Sequence, residues 1–233
     1  MFPAATKYFN ERKTAIDMLL IHGTEVDDAT TRAILSGQTE YEASAHYYID
    51  DKGGITQYLD ESVRAWHAGK GYWAGSEDTN SRSIGIELLA ISTDGKFAGE
   101  ETIYTDAQIE SLAKLSKEIT ERHRISPALV LGHTDTAPFR KFDPGPKFPW
   151  AKLAEKGVGL WHGLQPEKND VLADMQQTIE ALTTFGYDTR DAALCNELIK
   201  AFQTHFLPWN ICGQPTRQTL EAARILVGKK LKT

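Results

Sequence analysis

His22, His133 and Asp143 are the residues of this sequence best suited to hold a metal ion. They lie in two short stretches, Leu19-Leu-Ile-His-Gly-Thr24 and Gly132-His-Thr-Asp-Thr-Ala-Pro-Phe-Arg-Lys-Phe-Asp-Pro-Gly145. Two imidazoles and a carboxylate fill three corners of a tetrahedral zinc and leave the fourth for water, which separates a catalytic site from a closed structural one. Each residue also has a plain reading. A histidine after a strand is commonly a hydrogen-bonded structural group, and an aspartate before proline is a turn former. Two more residues favour chemistry. Glu87 interrupts a strand of Ile, Gly and Leu, where a charge is costly unless it is paired or used. Lys141 stands two residues before Asp143 and so reaches the same place. A metal that lowers the pKa of water toward about 7, a carboxylate that takes and returns a proton, and a cation for a developing oxyanion form the set that amide hydrolysis needs.

Strands and stiff loops must position these groups. Ile16 to Ile21 is a nearly continuous apolar run ending on His22 and reads as a strand buried on both faces. Residues 45–50 and 55–59 flank Asp51-Lys-Gly-Gly54 and read as a hairpin. In residues 83–89 the alternation puts Ile84, Ile86 and Leu88 on one face and Glu87 on the other. Thr105-Asp-Ala-Gln108 is a capping box opening a helix with the stripe Ile109, Leu112, Leu115 and Ile119. Residues 128–131 form a short strand delivering His133. Three prolines in 144–149 exclude regular structure there. This order of elements is that of an α/β or α+β domain.

The composition turns polar near 163–169, and a boundary is placed between residues 165 and 166. Beyond it, three stripes predict helices: Leu172, Met175, Ile179 and Leu182; Leu194, Leu198, Phe202 and Phe206; and Leu220, Ala223 and Val227. The 233 residues carry a net charge of −6 with no basic block, which argues against nucleic acid as a partner. No run reaches the roughly 18 apolar residues of a membrane span. Cys195 and Cys212 suggest neither a disulfide framework nor a structural zinc.

Four motifs, in order over residues 14 to 155, carry a resemblance. They are Ser44-Ala-His-Tyr-Tyr-Ile49, Arg64-Ala-Trp-His-Ala-Gly69, Asn80-Ser-Arg-Ser-Ile-Gly-Ile-Glu87 and the 132–145 stretch. Together they resemble the zinc N-acetylmuramoyl-L-alanine amidases of the AmpD/AmiD branch, whose fold is shared with phage lysozyme-type amidases and peptidoglycan recognition proteins. The resemblance implies an α/β fold, a mixed central sheet flanked by helices, with a small C-terminal three-helix domain. It implies an amidase domain over 1–165 and a peptidoglycan-binding-like domain over 166–233. It also implies one Zn²⁺ held by His22, His133 and Asp143, with Glu87 as base and acid and Lys141 at the oxyanion. The bond cleaved would join N-acetylmuramic acid to L-alanine of the stem peptide, in peptidoglycan or muropeptides. Phage-type members place a Tyr where this chain has Ala45, which puts the catalytic load on Glu87. His46, Trp66, His67, Asn80 and Arg82 are candidates for substrate contact, each with an alternative structural role. A monomer in the periplasm or cell envelope is expected, with the cytoplasm as the alternative location. The rival of another class is a peptidoglycan-binding module without hydrolysis; retention of the three ligands, Glu87 and Lys141 disfavours it.

Overall fold

A computed structural model describes residues 6–91 and 101–232. Its strands, in chain order, are β1 (Phe9–Glu11), β2 (Met18–Gly23), β3 (Tyr47–Ile49), β4 (Ile55–Gln57), β5 (Val63–Ala65), β6 (Ser83–Leu88) and β7 (Val130–Gly132). Its α-helices are α1 (Asp28–Leu35), α2 (Thr79–Arg82), α3 (Asp106–His123), α4 (His133–Thr136), α5 (Trp150–Glu155), α6 (Met175–Phe185), α7 (Cys195–Phe206) and α8 (Arg217–Lys230).

The apolar run becomes β2, and every residue of it is buried. Such a strand needs cover on both faces and neighbours on both edges. Strands β6 and β7 flank it in parallel, β3 pairs with β6 in parallel, and β4 closes the edge antiparallel in the expected hairpin. The sheet is therefore mixed, in the order β4-β3-β6-β2-β7.

Each face of this sheet carries its own helical layer. Leu19, Ile21, Ile84, Ile86 and Leu88 pack with Ile109, Leu112 and Ile119 of α3 and with Trp150 and Leu153 of α5. Thr105 caps α3 in the reciprocal arrangement read from the sequence: its hydroxyl accepts from the Gln108 amide, and the Gln108 side chain accepts from the Thr105 amide. On the other face Met18, Leu20 and Leu131 pack with Leu182 and Phe185 of α6, Leu198, Phe202 and Phe206 of α7, and Ala222 and Leu226 of α8. The C-terminal helices thus share a core with the sheet. Full burial of each such side chain is worth roughly 1.5–3 kcal/mol, so this contact is a large part of what holds the sheet's second face.

Three sequence expectations shift. Helix α6 starts at Met175, because Asp174 caps it through the Gln177 amide, and Leu172 before it is 70% exposed. The buried stripe of α8 is Thr219, Ala222, Ala223 and Leu226 rather than Leu220, Ala223 and Val227, so small side chains face the neighbouring helices. Strand β7 begins at Val130, because Pro127–Leu129 forms a 3₁₀ turn capped by Ser126.

Candidate metal centre and active site

The parallel register between β2 and β6 sets His22 beside Glu87 on one face of the sheet. His133 follows β7 as the first residue of α4. Asp143 returns to it through the loop, where the Thr134 amide donates to the Asp143 carbonyl at 3.0 Å. The approach is tight: a Cβ on Gly132 would meet Pro144 Cδ at 2.9 Å, so glycine is needed there. The Tyr104 hydroxyl anchors the loop by donating to the Pro144 carbonyl at 2.8 Å.

One ligand atom from each of His22, His133 and Asp143 lies within 4.8 Å of the others, and all three residues are buried. His22 Nδ1 is 3.1 Å from His133 Nδ1 and 3.2 Å from Asp143 Oδ2. The hydrogen bonds behind the rings decide what these nitrogens carry. The Ser83 hydroxyl donates to the Thr79 carbonyl at 2.6 Å and therefore accepts from His67 Nε2–H at 3.2 Å. His67 is neutral, since burial and then the nearby His22 hold its pKa well below the ordinary value. Its Nδ1 is then an acceptor, taking the Nε2–H of His22 at 2.9 Å. His133 donates its Nε2–H to the Ala68 carbonyl at 2.9 Å. In their neutral forms both rings then present bare Nδ1 lone pairs to each other and to a carboxylate. His22 is kept neutral as well, with burial foremost and His133 next lowering its pKa to about 4. Asp143 Oδ1 is buried and makes no hydrogen bond. Lone pairs converging in a low-dielectric pocket repel one another, and a cation turns that repulsion into binding. An N, N, O donor set of this kind fits zinc.

A cavity of about 300 Å³ opens on this cluster, and Glu87, Lys141 and His67 line it as well. Burial first, then the charge of Asp143, raises the Glu87 pKa to about 8. That places it in the range where a carboxyl exchanges protons near neutrality. Burial works against the charge of Lys141, but Glu25 and Asp143 outweigh it and its pKa rises. The Lys141 ammonium donates to Glu25 Oε1 at 2.6 Å. A larger cavity of about 730 Å³ lies across the 136–140 loop; it is bordered by Lys70, Tyr72 and Arg190 and contains none of these groups.

The structure gives most of the expected substrate-contact residues other roles. His46 is fully buried; its Nδ1 accepts from the Gly85 amide and its Nε2 faces the Val63 carbonyl. Arg82 forms a two-bond pair with Asp17. Asn80 accepts from the amides of His67 and Ala68, and Trp66 donates to Asn10. Of the five, His67 alone lines the cavity. Sequence reasoning passed over Tyr104 and Glu25, since neither stands in a motif with the ligands.

A mixed sheet, helix α4 and the loop after it bring two imidazoles, two carboxylates and an ammonium to one cavity, the layout of a hydrolase. Comparison with known proteins makes this specific. The family model described as N-acetylmuramoyl-L-alanine amidase matches residues 12–146. The N-acetylmuramoyl-L-alanine amidase AmiD of Escherichia coli is 36% identical over 234 residues, covering 92% of this chain and 83% of AmiD. The 1,6-anhydro-N-acetylmuramyl-L-alanine amidase AmpD of Citrobacter freundii is 38% identical over 127 residues, covering 54% of this chain and 63% of AmpD. Among solved structures, E. coli AmiD in complex with anhydro-N-acetylmuramic acid-L-Ala-D-γ-Glu-L-Lys superposes with a TM-score of 0.80 at 33% identity, covering 93% and 91% of the two chains. AmpDh3 of Pseudomonas aeruginosa, in complex with anhydromuramic pentapeptide, gives a TM-score of 0.77 at 32% identity over 98% and 99%. The chain belongs to the N-acetylmuramoyl-L-alanine amidase family and is an amidase.

Proposed function

We propose that this amidase hydrolyses the bond between the lactyl group of N-acetylmuramic acid and L-alanine of the stem peptide, using one zinc ion held by His22, His133 and Asp143. The observation that carries the ligand set is the convergence of two imidazole Nδ1 atoms on a buried carboxylate, one oxygen of which makes no hydrogen bond. Zinc in such a site supplies Lewis acidity toward water and the scissile carbonyl. Glu87 takes the proton of the attacking water and delivers it to the departing L-alanine nitrogen, a role suited by its raised pKa. Lys141, released from Glu25, places its ammonium against the oxygen that gains negative charge. His67 orients His22, and the Ala68 carbonyl orients His133.

The substrate is drawn from the muropeptide class, as in the AmiD and AmpDh3 complexes. The likeness to AmiD runs through the C-terminal helices, which favours an envelope enzyme. No helix among the described residues is long and apolar enough to cross a membrane. Mass spectrometry of a digest tests the reaction: the expected products are free stem peptide and peptide-free glycan, with zinc required. Intact muropeptides after incubation with the zinc-loaded protein would leave only a binding role. Running sacculus against soluble anhydro-muropeptide in parallel defines the preferred form, and fractionation of cells assigns the compartment.

A further inference from the structure

Helix α4 carries His133 but is a single turn, too short to hold its own place. What fixes it is Asp135, whose side chain is 0% exposed. Removing a carboxylate from water costs several kcal/mol unless donors replace the solvent, and here three do. The Gly132 amide donates to Oδ2 at 2.7 Å, closing the start of the helix. His205 Nδ1–H donates to Oδ2 at 2.7 Å, and the Tyr187 hydroxyl donates to Oδ1 at 2.5 Å. These two donors come from 70 and 52 residues away in sequence, from α7 and from the turn after α6.

Both distant donors are themselves immobilised. The His205 ring stacks on Trp150 at 3.8 Å, and the Tyr187 ring packs edge-on against Trp73 at 4.8 Å and Phe202 at 5.9 Å. His205 and Tyr187 are 2% and 1% exposed, so the cluster offers nothing to substrate. Its influence runs along the backbone instead. Gly132, held by Asp135, precedes one ligand, and the Thr134 amide holds the carbonyl of Asp143, another ligand.

We propose that Asp135, clamped by His205 and Tyr187, is a positioning residue for the metal centre. Through it, the C-terminal helices set the geometry of a site to which they contribute no ligand. This rests on the ligand assignment above and goes beyond a C-terminal segment that only binds glycan or fills a core.

The test uses the full chain as wild type, Asp135→Asn and Tyr187→Phe. Zinc affinity is measured by chelator competition, the visible spectrum is recorded after cobalt substitution, and melting temperature is followed alongside. Asparagine keeps the shape of the side chain but turns an acceptor into a donor facing donors. The folded Asp135→Asn protein is expected to bind zinc about 10- to 100-fold more weakly, with shifted cobalt bands and a lower kcat at unchanged KM. Tyr187→Phe removes one donor of three and is expected to weaken zinc by about 2- to 10-fold. Wild-type affinity and cobalt bands in Asp135→Asn overturn the inference, even if its melting temperature falls. Should Asp135→Asn not fold, the same two readings on Tyr187→Phe decide. A wild-type chain that takes up neither metal fails the ligand assignment, and this inference falls with it; a metal-binding wild type with unaffected variants fails this inference alone.

Discussion

Glu61 and Asp143 are both sheltered carboxylates beside histidines, and their surroundings could hardly differ more. Glu61 is saturated with donors: Arg122 Nε and Nη2 at 3.0 and 2.8 Å, the Tyr47 hydroxyl at 2.7 Å and His123 Nε2 at 2.5 Å. Burial alone would raise its pKa, but these donors outweigh it and bring it to about 2. Asp143 meets two imidazole nitrogens stripped of their protons by partners on their far sides, and one of its oxygens has no hydrogen bond. The first carboxylate is complete within the protein. The second, in the proposed function, is completed by a cation. What separates a structural acid from a ligand is therefore the direction of the protons around it, and the presence of histidine alone does not tell them apart.

The comparison is open to attack at four points, in order of expected effect. Chelation of zinc, or His133→Ala, should reduce amide hydrolysis to background, and added zinc should restore only the chelated wild type. Bound zinc at about 1,000 times its Kd should also stabilise the fold by about 4 kcal/mol; a melting temperature and activity both indifferent to chelator would put Asp143 in the same class as Glu61. Next, Glu87→Gln should lower kcat by about 10²- to 10⁴-fold while a zinc titration stays stoichiometric. Full activity in that variant would remove Glu87 from the proton-transfer role. Lys141→Met should cost about 10²-fold in kcat with little change in KM; a pure KM effect would make it a binding residue.

Glu61→Gln should be the mirror image, leaving kcat unchanged and destabilising the fold by about 1.5–3 kcal/mol in a denaturant titration. The pH dependence follows from the same group. Its folded pKa, about 2, lies below the ordinary 4.5 of a free glutamate, so the unfolded chain binds the proton more readily. The stabilisation is present above about pH 4.5 and is lost as pH falls toward 2. The glutamine variant should therefore show a shallower loss of melting temperature across that interval, and equal slopes would remove Glu61 as the cause.

Much of this was legible from local pattern. The run ending at His22 made a central strand, the alternation around Glu87 made β6, and Thr105 with Gln108 made a helix start, because each follows from neighbours within a few residues. The proximity of Lys141 to Asp143 followed from chain connectivity. Other features depend on contacts that sequence does not order. His67 reads as a pocket residue, yet its bond to His22 spans 45 positions. His205 reads as a packing residue, and nothing nearby announces Asp135 as its partner. The buried stripe of α8 departs from the apolar pattern because Thr219 and Ala222 face inward with Ala223 and Leu226, while Leu220 and Val227 are only partly buried. Asn80 and Arg82 stand in a family motif, which drew them toward substrate, while their bonds serve the backbone and Asp17.

Gly85 pairs with Leu20 inside the sheet and is not one of the proposed ligands. A methyl group added there would sit 2.5 Å from Cγ of the His67 ring. The ring is a rigid plate held at both nitrogens, so it would have to tilt, and its grip on His22 would loosen. In a saturation library at this position, alanine, the gentlest replacement elsewhere, should already behave as an active-site lesion. Position 85 is thus a dimmer on the enzyme, set by the one atom that glycine leaves out.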